Sequence, residues 1–374
     1  MCIRKYSDIL CVNNCSYSIE SFSSNNPLFI CVISYTKTSE ISGITAAGSK
    51  PELIKYTPAA DSEFLYYGRC RCINNVPATP DGKPTPAIIT KAALELADIP
   101  FLVVNAGSKI KPGIPCVTFD LKYGKNILYE EAMSLEQVTK AFDYGISLGR
   151  QLSKTNDTIV IGESIPGGTT TAFGVLTALG VDARFKISSS MQKNPHAIKN
   201  RVIDRCMKRE KILIGGLKND PFMAISKFGD PMLPAVTGIS SGVINSGAKV
   251  ILAGGTQMSA VIAILKLLGQ CSLERICIAT TSYVAFDNSS GLIFLIRSIS
   301  ENIPIYAANL HMQDSSKPGL RAFAEGFVKE GVGAGGASIA AMLKSRGKIN
   351  GKILLRAIES EYEAHIEKKG AVDS

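Results

Sequence analysis

A chain of 374 residues with 45% apolar and 20% charged side chains can bury a sizeable core, as one large α/β domain or two smaller ones, and is not a disordered polymer. Thirty-three glycines, many directly after short apolar runs, favour tight β-to-α turns over a coiled coil. The net charge of +9 is uneven: between Arg184 and Lys218 ten Lys/Arg stand against Asp204 and Glu210, which leaves +8 in that segment alone.

In chain order, the first apolar run, "LFICVISY", follows a Ser/Asn-rich stretch and lacks the basic flank and cleavage site of a signal peptide. The segments "ITAAG" (44–48), "TPAAD" (57–61) and "NNVPATPDGKPTPAIITKAAL" (74–94) are rich in Pro, Thr and Ala and show little regular pattern. Beyond them, "FLVVNAG" (101–107), "TIVIGES" (158–164), "KILIGG" (211–216), "KVILAGGT" (249–256), "RICIATTS" (275–282) and "IPIYAANL" (303–310) each lead through small polar residues into a helical pattern. Such runs suit strands buried on both faces, so the expected class is α/β, a doubly wound, mostly parallel sheet flanked by helices. After Asn309 only helical segments follow. Residues 1–95 and 311–374 are therefore expected to pack as a small lobe beside a parallel-sheet core of 96–310.

The longest membrane candidate, "VILAGGTQMSAVIAILKLLG", is interrupted by Gly254, Gly255, Gln257 and Lys266, which predicts a soluble, cytoplasmic protein with no membrane partner. Ten cysteines are scattered without a CxxC pair; Cys31, Cys271 and Cys277 lie in or beside apolar stretches, and reduced thiols are expected rather than a disulfide framework. Three histidines argue against a His-rich site, and no metal or other cofactor is expected. The basic segment reads either as a solvated helix face or as a positive wall beside an anion site. Its core, "HAIKNRVIDRCMKRE", has no aromatic for base stacking, so no nucleic-acid partner is expected.

Ligands of open α/β sheets sit at the carboxyl ends of the strands, and small residues fall there at 162–171, 188–190, 215–216, 254–257 and 280–282. In "GESIPGGTTTAFG" (162–174) a strand, a glycine turn and a helix start combine into a natural anion cradle, although a plain turn with a threonine cap would look similar. The P-loop requires a lysine that is absent here, and the Rossmann pattern GxGxxG is broken at Gly162-Glu163-Ser164. The diphosphosugar loop of ordinary phosphoribosyltransferases carries two adjacent acids, whereas Glu163 stands alone.

"GESIPGGTTTA" resembles the glycine/threonine loop of the nicotinate-nucleotide–dimethylbenzimidazole phosphoribosyltransferases, which make the lower-ligand nucleotide of cobamides. "FVKEGVGAGGASIAAML" (327–343) resembles the segment that carries their catalytic glutamate, and "NPHAIK" matches a lysine near the nucleotide phosphate. The likeness covers most of 40–345 and is closest to a divergent branch with "ITAAG", "SSSMxxNPH", "LAGGTQM", "ATT" and "EGVGAGGA". It implies Glu330 as catalytic base, with Glu163, Gly167, Gly168, Thr169, Thr170, Lys199, Gly254, Gly255, Gly331 and Gly333 around the substrate. Ser164-Ile165-Pro166-Gly167-Gly168 stands where bacterial enzymes carry Met-Gly-Ile-Gly-Asn, and the N-terminal residues lining their benzimidazole pocket have no counterpart in the sequence.

The implied reaction moves phosphoribose from nicotinate mononucleotide to an azole base, with a homodimer as the expected assembly. One carboxylate suffices for the azole proton. Glu163 positions the ribose, serves as a secondary carboxylate or is structural. Asp287 and Asp314 read as loop acids or helix caps, and His196 and His311 as structural. The small residues of 331–336 are expected to let a ligand approach the backbone. Rival readings are a nucleotide sensor without catalysis and a nicotinamide-dependent oxidoreductase, the latter disfavoured by the missing GxGxxG.

Overall fold

The protein is described here by a computed structural model of residues 5–16, 18–269 and 272–367. Its strands are β1 (Ile9–Asn13), β2 (Pro27–Ile33), β3 (Phe101–Asn105), β4 (Val117–Thr118), β5 (Thr158–Ser164), β6 (Lys249–Ala253), β7 (Ile276–Thr281) and β8 (Ile305–Ala308). They form one eight-stranded sheet in the order β1-β8-β7-β6-β5-β2-β3-β4. Every pairing is parallel except that of β1 with β8. The neighbours β2 and β5 are buried along their whole length, as strands covered on both faces must be.

The helices are α1 (Thr57–Tyr67), α2 (Ala87–Leu96), α3 (Leu135–Leu152), α4 (Gly168–Ala178), α5 (His196–Glu210), α6 (Pro221–Phe228), α7 (Met232–Asn245), α8 (Met258–Leu268), α9 (Ser282–Ala285), α10 (Leu292–Ile299), α11 (Pro318–Ala324), α12 (Ala334–Lys344) and α13 (Gly351–Tyr362). Alternate residues of each strand divide the core in two. Leu28, Ile30 and Val32 join the apolar faces of α3 to α8 and α10, while Phe29, Cys31 and Ile33 join those of α1, α2, α12 and α13.

Three expectations change. "KILIGG" is a turn after α5, not a strand, and leaves Leu213 81% and Ile214 69% exposed. Its apolar run has no neighbouring strand to pair with, so it cannot enter the ladder. Residues 1–95 are not confined to a lobe, because they supply β1 and the central β2; α1 and α2 do pack with the C-terminal α12 and α13. One disulfide joins Cys11 and Cys15 where β1 ends. Cys31 and Cys277 are free and buried, as expected, and Cys271 lies outside the described residues. Among the described residues no helix is long and apolar enough to cross a membrane.

Candidate active site

From the middle of the sheet the chain runs β2-β3-β4 to one side and β5-β6-β7-β8 to the other. The order thus reverses between β2 and β5, which is where doubly wound sheets open a crevice. A cavity lies there, walled by 44–48, 77–79, 83–86, 163–169, 188–190, 255–257, 330–332 and single residues including Thr57 and Asp61. The start of α4 and the turn that leads into α8 wall it from one face of the sheet, and α1 with the turns that lead into α2 and α12 from the other.

On the α4 side the cavity is closed by a glycine turn at a helix amino end. Gly167 caps α4 with φ +79°, a left-handed conformation suited to glycine, and a Cβ there would lie 3.0 Å from the Ser39 Cα. A Cβ on Gly168 would lie 2.7 Å from the Ile165 methyl and 3.0 Å from Gln257 Oε1. The turn therefore tolerates no side chain and delivers the amino end of α4, with its partial positive charge, to the cavity. Lys199 stands behind it, donating to Thr169 Oγ1 at 2.7 Å and to the Ser188 carbonyl at 2.8 Å. Burial, reinforced by the Lys329 ammonium, pulls Lys199 down to about 7. Gln257 Nε2 is buried with no partner, a donor lacking the acceptor that burial ordinarily demands.

Carboxyl groups gather around the rest of the cavity. Glu330 accepts from Thr281 N at 2.9 Å, from Thr280 Oγ1 and Gly331 N at 3.2 Å, and from Gly335 N at 3.2 Å. These bonds fix it between the end of β7 and the start of α12. Desolvation outweighs them and pushes its carboxyl up to about 7. Glu163, the penultimate residue of β5, is pushed further, to about 8, by burial and then by the Asp230 carboxylate. Asp61, on α1, accepts from Ser164 Oγ at 2.6 Å and Thr85 Oγ1 at 2.7 Å, and burial raises it to about 6.

Of the residues singled out from sequence, Glu330, Glu163, Gly167, Gly168, Thr169, Gly255 and Gly331 line the cavity. Thr170 is fully buried inside α4 and does not line it. Gly254 packs against Met258. Gly333 meets Gly162 and the Phe29 ring, and Gly335 and Gly336 meet Thr280 and Ala253, so most of that glycine run serves helix-to-sheet packing and not ligand approach. Asp287 pairs with buried Lys329 at 2.6 Å, while His311 bonds Asp8 and His196 bonds the Ser289 carbonyl. Of α5's basic residues Lys199 turns inward; Arg201, Arg205 and Lys208 face solvent.

Sequence reasoning missed Asp61, Thr85 and Gln257. Gln257 stands inside the "LAGGTQM" motif at the cap of α8, so its place was readable even though its role was not. Asp61 and Thr85 offered no signal of their own, since only the packing of α1 and α2 brings them to β5.

A glycine turn at a helix amino end beside desolvated carboxyls, at the switch point of a doubly wound sheet, defines an α/β protein with one composite ligand crevice. The family model described as "Phosphoribosyltransferase" matches residues 89–282. The chain is 47% identical over 335 residues to a UPF0284 protein of Archaeoglobus fulgidus, covering 90% of this chain and 93% of the relative. It is 41% identical to the UPF0284 protein of Methanopyrus kandleri, with 94% and 91% covered. The fold is similar to that of the nicotinate-nucleotide–dimethylbenzimidazole phosphoribosyltransferase of Thermus thermophilus, at a TM-score of 0.60 and 15% identity over 89% of this chain and 83% of that one. The chain belongs to this phosphoribosyltransferase family, in the divergent branch with the archaeal UPF0284 proteins.

Proposed function

We propose that the protein transfers the phosphoribosyl group of nicotinate mononucleotide to an azole base of benzimidazole type, releasing nicotinate and yielding an α-riboside phosphate for cobamide assembly. One observation carries this reading: Thr169, held by Lys199, and Glu330 open onto the same cavity. The phosphate docks at the α4 turn, against the amino end of the helix. The sugar then spans the cavity past Glu163, whose carboxyl stays largely protonated at neutral pH and can donate to a ribose hydroxyl.

In the transfer, the bond from ribose C1′ to the pyridine nitrogen breaks and its electron pair neutralises the charged ring, which departs as nicotinate. A lone pair on one azole nitrogen forms the new bond from the opposite face. The proton on the other azole nitrogen goes to Glu330, which is partly accessible through the cavity and poised near neutral pH, where a general base works best. The assembly is a homodimer in this reading.

The test is incubation with nicotinate mononucleotide and a panel of azoles, with mass detection of α-ribosides. If the mononucleotide binds and no azole releases nicotinate, the transferase reading falls and a sensor takes its place.

A further inference from the structure

We infer that the acceptor base carries a hydrogen-bond donor, a hydroxyl or amino group on its fused ring, and that Asp61 reads it. The inference rests on the transferase reading above and concerns only the acceptor.

The acceptor has to lie within reach of Glu330 and away from the phosphate turn. That places it on the α1, α2 and α12 side of the sheet, where Gly331 adjoins the Pro86 ring, with 3.2 Å separating Pro86 Cγ from a Cβ built on Gly331. The slot there is lined by Pro77, Pro84, Pro86 and Val332, with Thr79, Lys83 and Thr85 among them. Such a slot suits a planar ring. Asp61 interrupts it with a carboxylate that is only 3% exposed and lines the cavity.

Each Asp61 oxygen accepts one hydroxyl, from Thr85 and from Ser164. An ionised carboxylate has about four acceptor sites, so capacity remains beyond these two bonds. Among the described residues no Lys, Arg or His pairs with it. The two hydroxyls hold the carboxylate in place without neutralising it. A ring methyl set against this group would strip its remaining solvation and return nothing, whereas a ring hydroxyl or amine would bond to it. Sites built to bond a substrate hydroxyl reject the analogue lacking it far more strongly than an apolar pocket rejects an added group. The atoms exchanged at C1′ are unchanged; the substituent adds only a contact.

The experiment compares a matched pair, 5-hydroxybenzimidazole and 5-methylbenzimidazole, with nicotinate mononucleotide as donor and nicotinate release as readout. The wild-type protein should favour the hydroxyl compound in kcat/KM by about tenfold or more, the effect of one bond to a charged group. In Asp61→Asn the preference should shrink to within about threefold of unity, chiefly through a higher KM for the hydroxyl compound. A wild-type preference for the methyl compound, or none, overturns the inference whether or not the variant folds. So does a variant in which KM for the mononucleotide rises equally with both bases, because Asp61 would then hold the ribose. Turnover of neither base by protein that binds the mononucleotide sinks the transferase reading itself, and the acceptor inference with it.

Discussion

Gly162 and Gly333 meet backbone to backbone: a Cβ on Gly162 would lie 2.8 Å from the Gly333 Cα, and one on Gly333, at φ +70°, would lie 2.9 Å from the Gly162 Cα. The contact joins the end of β5 to the start of α12, and Val332 N donates to the Glu163 carbonyl at 3.0 Å beside it. Glu163 follows one of these glycines by one residue and Glu330 precedes the other by three. The distance between the two carboxyl groups is therefore set by an approach that admits no side chain.

Gly162→Ala should push β5 and α12 apart, because the obstacle is backbone and cannot swing away. The expected cost is about 1–3 kcal/mol, typical of overpacking in a tight core, read as a lower midpoint in chemical denaturation. Activity should fall further than stability explains, since the pair of carboxyls moves with the contact. A variant with wild-type stability and turnover would show that the two segments adjust independently.

Glu330→Gln keeps the shape of the carboxylate and the bonds to one of its oxygens, but turns an amide NH2 toward backbone N–H donors on the other side and cannot take a proton. It should lower kcat by about 10²–10⁴ while mononucleotide affinity stays within a few-fold. Glu163→Gln should act chiefly on mononucleotide binding. Should Glu163→Gln abolish turnover while Glu330→Gln leaves it near wild type, the two roles are exchanged.

The pattern of local success and failure has a physical origin. β3 and β5 to β8 were legible because each is an apolar run with small residues at its carboxyl end. The same pattern at Ile212, Leu213 and Ile214 misled, since pairing depends on a neighbour that local sequence does not encode. β2 was the reverse case: "LFICVI" is as apolar as β5, but its Ser/Asn-rich approach and irregular sequel hid its place at the centre. Within the site, the Gly167-Gly168 turn was readable because glycine marks backbone requirements, whereas Glu330 was singled out only by the resemblance of its segment to a known family. Asp61 and Thr85 are ordinary surface types in a Pro/Ala-rich stretch until tertiary packing buries them against Ser164.

Buried carboxyls should make the free protein less stable as pH rises. In the unfolded chain a glutamate titrates near 4.3, whereas burial holds Glu330 up at about 7 and Glu163 at about 8. Between these limits the folded state binds more protons than the unfolded one, so unfolding free energy falls with pH. The contribution is fully present below about pH 4 and is lost as pH passes through about 7 and then about 8. Glu163→Gln removes one such group. Relative to wild type it should gain stability from pH 5 to pH 9, by about 1 kcal/mol or more, in denaturant titrations at each pH. A difference that stays constant across this range would mean that Glu163 is not held protonated.

Lys199 provides a test of the phosphate site that does not require turnover. Its ammonium is pulled down to about 7 by burial and by Lys329, so at pH 8 most of it is neutral in the free protein. A phosphate at the α4 turn would bring negative charge to the Thr169 hydroxyl that Lys199 already bonds, at 2.7 Å. An opposite charge at that range favours the charged form of a lysine. Binding of nicotinate mononucleotide at pH 8 should therefore take up a fraction of a proton, and this uptake should fade at pH 6, where Lys199 is already charged. Titration calorimetry in buffers of different ionisation enthalpy measures it directly. Lys199→Met should abolish the uptake and weaken binding by roughly 1.5–3 kcal/mol, the worth of a hydrogen bond to a charged group. Equal uptake in wild type and Lys199→Met would assign the proton elsewhere, and unchanged affinity in both Lys199→Met and Gly168→Val would move the phosphate away from this turn.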